Sequence, residues 1–348
     1  MMTTIGGIAL GLLFGYVLQR GGYCMNTAFR SLFLEKDRSL VRAWVLILLI
    51  NVVGVQLLTQ LGMLRPLTAP FFWPAMAVGG LLFGAGMVLA GGCASGTYYR
   101  CGRGMIGSMG ALAGFAVGAT TANAGVLRPL QQALRGPTIG VNGEAATLFN
   151  VFGIESVFGQ WLVIAVLGIP AAVWLLRAPQ ERFLVGWSWK RTGLLIGVLA
   201  LVAWVLSAIG GRDYGISFTQ PTVALVRFVL TGDASGISVA SFIVVAVPVG
   251  ALLAAISTKQ AVLRLPEPGR MMRQVGGGLA MGVGAGIAGG CNIGHSVTGV
   301  STLGIGSIAA TLFIMLGCWA MTWIIYRAEM RAMQAEMPQK HWATMPET

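Results

Sequence analysis

Three short stretches of this chain set a thiol among glycines and small polar residues. They read Arg20-Gly21-Gly22-Tyr23-Cys24-Met25-Asn26-Thr27, then Gly91-Gly92-Cys93-Ala94-Ser95-Gly96-Thr97-Tyr98-Tyr99-Arg100, then Gly289-Gly290-Cys291-Asn292-Ile293-Gly294-His295-Ser296. Glycine lets a chain turn sharply and leaves consecutive N–H groups pointing into one concavity, which suits an anion. A thiolate beside that anion would repel it, and an apolar setting keeps a thiol protonated, so the expected group is S–H, a weak donor. Weak donors in series suit conduction, because a site must bind well enough to admit and loosely enough to release. Cys24, Cys93 and Cys291 are therefore the expected relay. Gly22, Gly91, Gly92, Ser95, Gly289, Gly290, Asn292 and His295 form the expected anion cradle, with Arg100 and Asn123 as secondary candidates.

Other chemistries fit less well. Five Cys with no CxxC pair, and two His (His295 and His341) far apart, give no zinc pattern, so no metal or cofactor is expected. A membrane thiol oxidoreductase, joining Cys93 to Cys101 or Cys291 in a transient disulfide, lacks CxxC and any quinone or haem ligand set. A membrane subunit that only anchors a cytoplasmic partner is a further alternative. Packing explains any one stretch taken alone, since small residues end many membrane helices and free Cys packs as a small hydrophobe. Cys318 is expected to pack in mid-span with no polar company. Cys101 is intermediate, flanked by Arg100 and Arg103.

The elements that must position these groups follow from composition. Of 348 residues, 56% are hydrophobic, 10% are charged and 51 are Gly, with a mean hydropathy of +0.78. Those values exclude a soluble globular enzyme, a disordered chain and a nucleic-acid binder, whose charged fraction is about 25% or more. The net charge of +12 comes from Lys and Arg in short gaps between apolar runs, not from a patterned basic patch. The chain is read as an all-α integral membrane protein in contact with lipid. Apolar runs predict nine spanning helices near 5–19, 40–62, 73–92, 104–126, 159–177, 192–209, 238–258, 274–290 and 303–326. The stretches 24–36, 127–158 and 212–236 are left for short interfacial or re-entrant helices. No cleavable signal peptide is expected, because the first cation, Arg20, follows the first apolar run.

With nine spans, 18 of the 23 Lys and Arg fall on one side, which places the N-terminus in the periplasm and the C-terminus in the cytoplasm. All eleven Asp and Glu fall outside the spans, and every Lys and Arg is assigned to a gap. Intramembrane carboxylates usually mark proton relays and many cation sites, so the pathway is read as one for an anion. Backbone N–H groups, helix N-termini, hydroxyls, amides and thiols would hold it.

Residues 79–96 and 277–294, an offset of 198, are identical at ten of eighteen positions, Gly-Gly-Cys included. This predicts two repeats of four spans, 1–126 and 192–326, joined by a one-span connector over 127–191 and followed by a cytoplasmic tail, 327–348. The two glycine-rich spans lie five spans apart and so run in opposite directions, the pattern of inverted repeats. Gly193–Gln220, at the start of the second repeat, has no Cys to match Cys24.

On Gly22-Tyr23-Cys24, Gly91-Gly92-Cys93-Ala94-Ser95-Gly96 and Gly289-Gly290-Cys291-Asn292-Ile293-Gly294-His295-Ser296, the chain resembles the YeeE/YedE family over essentially its full length. The resemblance implies a bacterial inner-membrane transporter for thiosulfate, hourglass-shaped, with pseudo-inverted symmetry. It implies that Cys24, Cys93 and Cys291 pass the ion inward through S–H···S contacts, and that a separate cytoplasmic TusA-like sulfurtransferase takes the sulfur. Relatives linked to selenium metabolism leave another sulfur or selenium species as an alternative substrate.

Overall fold

The computed structural model describes residues 2–34, 37–141, 143–178 and 186–336. Its helices are α1 Met2–Gly21, α2 Met25–Leu34, α3 Ser39–Gln60, α4 Trp73–Ala90, α5 Ala94–Arg103, α6 Ile106–Ala124 and α7 Arg128–Arg135. They continue as α8 Leu148–Val151, α9 Val157–Leu176, α10 Trp189–Ile209, α11 Thr219–Thr231, α12 Val239–Ser257, α13 Pro268–Ala288 and α14 Ile305–Glu336. A π-helix covers Gly294–Gly299, and a small hairpin, β1 Gly140–Val141 with β2 Glu144–Ala145, precedes α8.

A long helix stands at each of the nine positions expected for spans. Six helical stretches are long and apolar enough to cross a membrane, or seven if α6 and α7, bent by 65°, count as one. Glycine-rich α1 and α13 fall outside that set, and α13 carries Arg270, Arg273 and Gln274 in its first turns. The surface agrees with a lipid solvent. On α9 only Ile164 and Leu175 are buried, while Phe158, Val166 and Ile169 are more than half exposed. A predominantly apolar helix left so bare is stable in hydrocarbon and not in water. The protein is a multi-pass helical membrane protein.

The interior is built on glycine. A helix pair held without a hydrophobic driving force must bring backbones close, and small residues permit it. A Cβ added to Gly86 would lie 2.4 Å from Met281 N, one on Gly79 2.6 Å from Ala288 N, and one on Gly284 2.5 Å from Phe83 N. On Gly277 it would lie 2.3 Å from Ala90 N. α4 and α13 thus pack antiparallel and reciprocally: shifting 79 and 90 by 198 gives 277 and 288, and each contact becomes its mirror. The same reciprocity defines a two-fold interface between identical subunits. α6 packs on α13 through Gly114, Gly118, Gly278 and Gly282, and α14 packs on α4 through Gly80, Gly84 and Gly317. The order long, short, long, long, short, long is shared by α1–α6 and by α10–α14 with the π-helix in fifth place.

Three sequence expectations change. Arg42, assigned to a gap, lies inside α3, 7% exposed and 5.6 Å over the Trp174 ring, where an aromatic face compensates a buried guanidinium. α14 continues past 326 to Glu336, although its apolar span ends at Ala328, short of Glu329, because Lys/Arg/Glu-containing sequence continues a helix readily once it leaves the apolar layer. Cys318 has polar company, since its Sγ lies 3.8 Å from Asn26 Oδ1. The tail beyond 336, with His341 and Glu347, and the acids Glu35 and Glu181 lie outside the described residues.

Candidate functional site

The three thiols occupy equivalent places. Gly22, Gly91 and Gly289 have φ of 57°, 75° and 95°, a left-handed conformation that L side chains resist. Each ends a long helix, and two residues later a Cys stands at the start of a short helical segment: α2, α5 and residues 292–301. The thiol stretches are thus helix N-termini and not irregular loops. Each carries first-turn N–H groups with no backbone partner inside the helix and the positive end of a helix dipole. Cys93 is the N-cap of α5 and accepts a hydrogen bond from Gly96 N at 3.4 Å. The third segment takes π-helical geometry, a distortion frequent at functional sites.

Cys24, Cys93 and Cys291 are all 0% exposed and free. Cys24 Sγ lies 3.6 Å from Cys93 Sγ, far beyond the roughly 2.05 Å of a disulfide. Ser95 Oγ is 3.5 Å from Cys93 Sγ. A Cβ on Gly96 would fall 2.7 Å from Cys24 Sγ and 3.3 Å from Cys93 Sγ, so both sulfurs rest on this glycine. The third segment reaches Met25, next to Cys24, through Asn292, whose Nδ2 donates to Met25 Sδ at 3.1 Å and whose Oδ1 is buried without a partner among the described residues. The structure therefore brings the Cys24, Cys93 and Cys291 turns together, with direct sulfur contact only between Cys24 and Cys93 among the described residues. Cys93 makes no such contact with Cys101 or Cys291, the pairs expected of an oxidoreductase.

The remaining candidates divide by role. His295 is 1% exposed, with Nδ1 3.3 Å from Ser307 Oγ, and its ring covers Gly290, whose Cβ would lie 3.1 Å from Nε2. Arg100 donates to the Gly91 carbonyl at the exposed carbonyl end of α4 and sits within electrostatic range of Cys24 and Cys93. Asn123 lies in a different network: Nδ2 donates to Ala119 O at 2.8 Å, and Oδ1 accepts from Gln131 at 3.1 Å and Gln220 at 3.3 Å. Gln131 and Arg135 in turn donate to Gly286 O, at 2.8 and 2.7 Å, so α7 caps the end of α13. Sequence reading missed Gly96 as the floor of the thiol pair, although its match with Gly294 at offset 198 marked it.

Arg100→Gln is expected to lower anion uptake about three- to tenfold in proteoliposomes, with Arg100→Lys recovering part of it. Both the cap on α4 and the local positive potential are worth roughly 1–2 kcal/mol. Unchanged uptake at low ionic strength would show that Arg100 serves packing alone.

Free, buried thiols at helix N-termini thus sit inside a multi-pass helical membrane bundle. A family model described as sulphur transport matches residues 20–320. The chain belongs to this sulphur-transport family, the YeeE/YedE group. It is 32% identical to the thiosulfate transporter TsuA of Escherichia coli K12, over 92% of this chain and 94% of that protein. It is 34% identical to the thiosulfate transporter TsuA of Spirochaeta thermophila, over 92% of this chain and 98% of that protein. A shorter match, 28% identical over 54% of the chain and 43% of the relative, is to the probable transporter YedE of Salmonella typhimurium.

Proposed function

We infer that this chain carries thiosulfate across a bacterial inner membrane, handing the ion along Cys24, Cys93 and Cys291. The observation that carries the reading is the free, fully buried Cys24–Cys93 pair at 3.6 Å, flanked by two helix N-termini and joined to the Cys291 turn through Asn292. Thiosulfate has a soft terminal sulfur and hard sulfonate oxygens. Polarizable thiols match the first, and N–H groups of the Gly-rich turns, with Ser95, match the second. The names of the two long relatives support this substrate.

Nine spans, rather than six or seven, form the transporter on this reading, because α1 and α13 bury their glycine faces against α12 and α4 and need no strong hydropathy. Reciprocal α4–α13 packing and the shared order of helices support two inverted repeats, 1–126 and 192–326, on either side of the 127–191 connector. Lys and Arg counts support a periplasmic N-terminus and a cytoplasmic tail. No enzymatic step is needed in the chain itself. A separate cytoplasmic TusA-like sulfurtransferase fits as acceptor, and the coupling argument favours one. Bringing a dianion in against about −100 mV costs roughly 4.6 kcal/mol, and no carboxylate lies in the described apolar spans to couple a cation. Downhill flow drawn by consumption of the ion meets that cost.

The test is uptake of labelled thiosulfate into liposomes holding only this chain, competed with sulfate, sulfite and selenite. Uptake blocked by excess thiosulfate and weakly by sulfate is expected. No uptake by the folded chain would refute the reading. Accumulation against a gradient, driven by an ion and without an acceptor, would refute the downhill mechanism alone.

A further inference from the structure

The second repeat has no cysteine to match Cys24, yet it is not empty at that place. In the first half, Cys24 immediately precedes α2 and its Sγ lies where a Cβ on Gly96 would be, at 2.7 Å. Gly96 shifted by 198 is Gly294. The group nearest a Cβ on Gly294 is Ser217 Oγ, at 3.1 Å, and Ser217 stands just before α11, the counterpart of α2. Alignment by offset hides this correspondence, because the turn from α1 to α2 is Gly22–Cys24 whereas that from α10 to α11 is the longer 210–218.

The segment is built in. Thr298 Oγ1 donates to Ile216 O at 2.6 Å, and Tyr214 OH donates to Gly294 O at 2.8 Å. Tyr98 OH and Thr222 Oγ1, 2.7 Å apart, tie α11 to α5. Ser217 itself is 2% exposed, and its hydroxyl has no hydrogen-bond partner among the described residues. Two residues on, Thr219 is 0% exposed at the first turn of α11, and its Oγ1 is likewise buried and unpartnered. A buried hydroxyl left unsatisfied among the described residues, that of Thr219 at the N-terminus of a 13-residue helix, is costly unless something bonds it.

We propose that Ser217 is a fourth substrate-contacting group, a hydroxyl in the place symmetry reserves for a thiol, which holds the sulfonate oxygens while Cys24, Cys93 and Cys291 hold the terminal sulfur. The proposal rests on the transport reading above and adds its specificity element. A hydroxyl is the stronger donor to oxygen and a thiol the better partner for sulfur. The Cys24/Ser217 asymmetry therefore orients a two-ended ion and separates thiosulfate from an all-oxygen anion.

Proteoliposomes with the wild-type chain, Ser217→Ala and Ser217→Cys carry the test. Ser217→Ala is expected to raise the KM for thiosulfate about fivefold or more with a smaller change in kcat, and Ser217→Cys to stay within about threefold of wild type. Alkylation of the cysteine at position 217 by N-ethylmaleimide, read by peptide mass spectrometry, should slow at least about threefold with saturating thiosulfate, and less with sulfate. Wild-type uptake with a normal KM for Ser217→Ala, or alkylation indifferent to thiosulfate, overturns the proposal and leaves the transport reading standing. No uptake by the wild type overturns the transport reading itself. If Ser217→Ala fails to fold, the protection measurement on Ser217→Cys decides.

Discussion

Cys24→Ala and Cys93→Ala are each expected to cut thiosulfate uptake by at least about tenfold, at unchanged protein level, and to stop growth on thiosulfate as sole sulfur source. A donor bonded to a charged ligand contributes roughly 1.5–3 kcal/mol, and about 1.4 kcal/mol is a factor of ten. The two sulfurs are 3.6 Å apart and share the Gly96 floor, so on the proposed reading they would hold the ion as one unit. The double variant is therefore expected to lose little more than the worse single variant, as coupled neighbours do. Additive losses would mean that the thiols act at separate places. Cys318→Ala is the control and should keep at least about half of the uptake, because its link to Asn26 Oδ1 at 3.8 Å is too long to matter greatly. Three single relay variants with normal growth would defeat the relay.

Gly86→Val should have the largest effect on stability. Its Cβ would lie 2.4 Å from Met281 N, against backbone that cannot rotate away, so the α4–α13 pair must separate. Overpacking of side chains already costs about 1–3 kcal/mol, and displacing two backbones exceeds that. Little or no monodisperse protein is expected after detergent extraction. Gly276→Ala is the matched control. Nothing lies within 4 Å of its Cβ position, and it is expected to hold or slightly raise the Tm. A folded, active Gly86→Val protein would show that the crossing is looser than its geometry.

The sequence makes the long helices legible because apolar runs and their gaps follow directly from the thickness of a bilayer. The glycine pattern of α4 and α13 is legible for a second reason: close backbone contact demands small residues at fixed spacing, and both helices repeat it. The short helices behind the thiols are harder to see. Ala94–Arg103 is short and polar on average, and tertiary contacts hold it in place, with Gly102 against the Pro248 carbonyl and Tyr98 bonded to Thr222. Cys318 misleads for the same reason, since its polar neighbour Asn26 is 292 positions away. Ser217 escapes any offset comparison because unequal turns shift the register just where the comparison matters.

The reciprocal contact of α4 with α13 has a consequence for biogenesis. α4 leaves the ribosome nearly two hundred residues before its partner, about 10–40 s at 5–20 residues per second. Its glycine furrow meanwhile faces lipid, or a chaperone, with no protein against it. Neither half can complete its own interior. Genes encoding residues 1–126 and 127–348 separately should give stable polypeptides only when expressed together, and each alone should be cleared by membrane proteases.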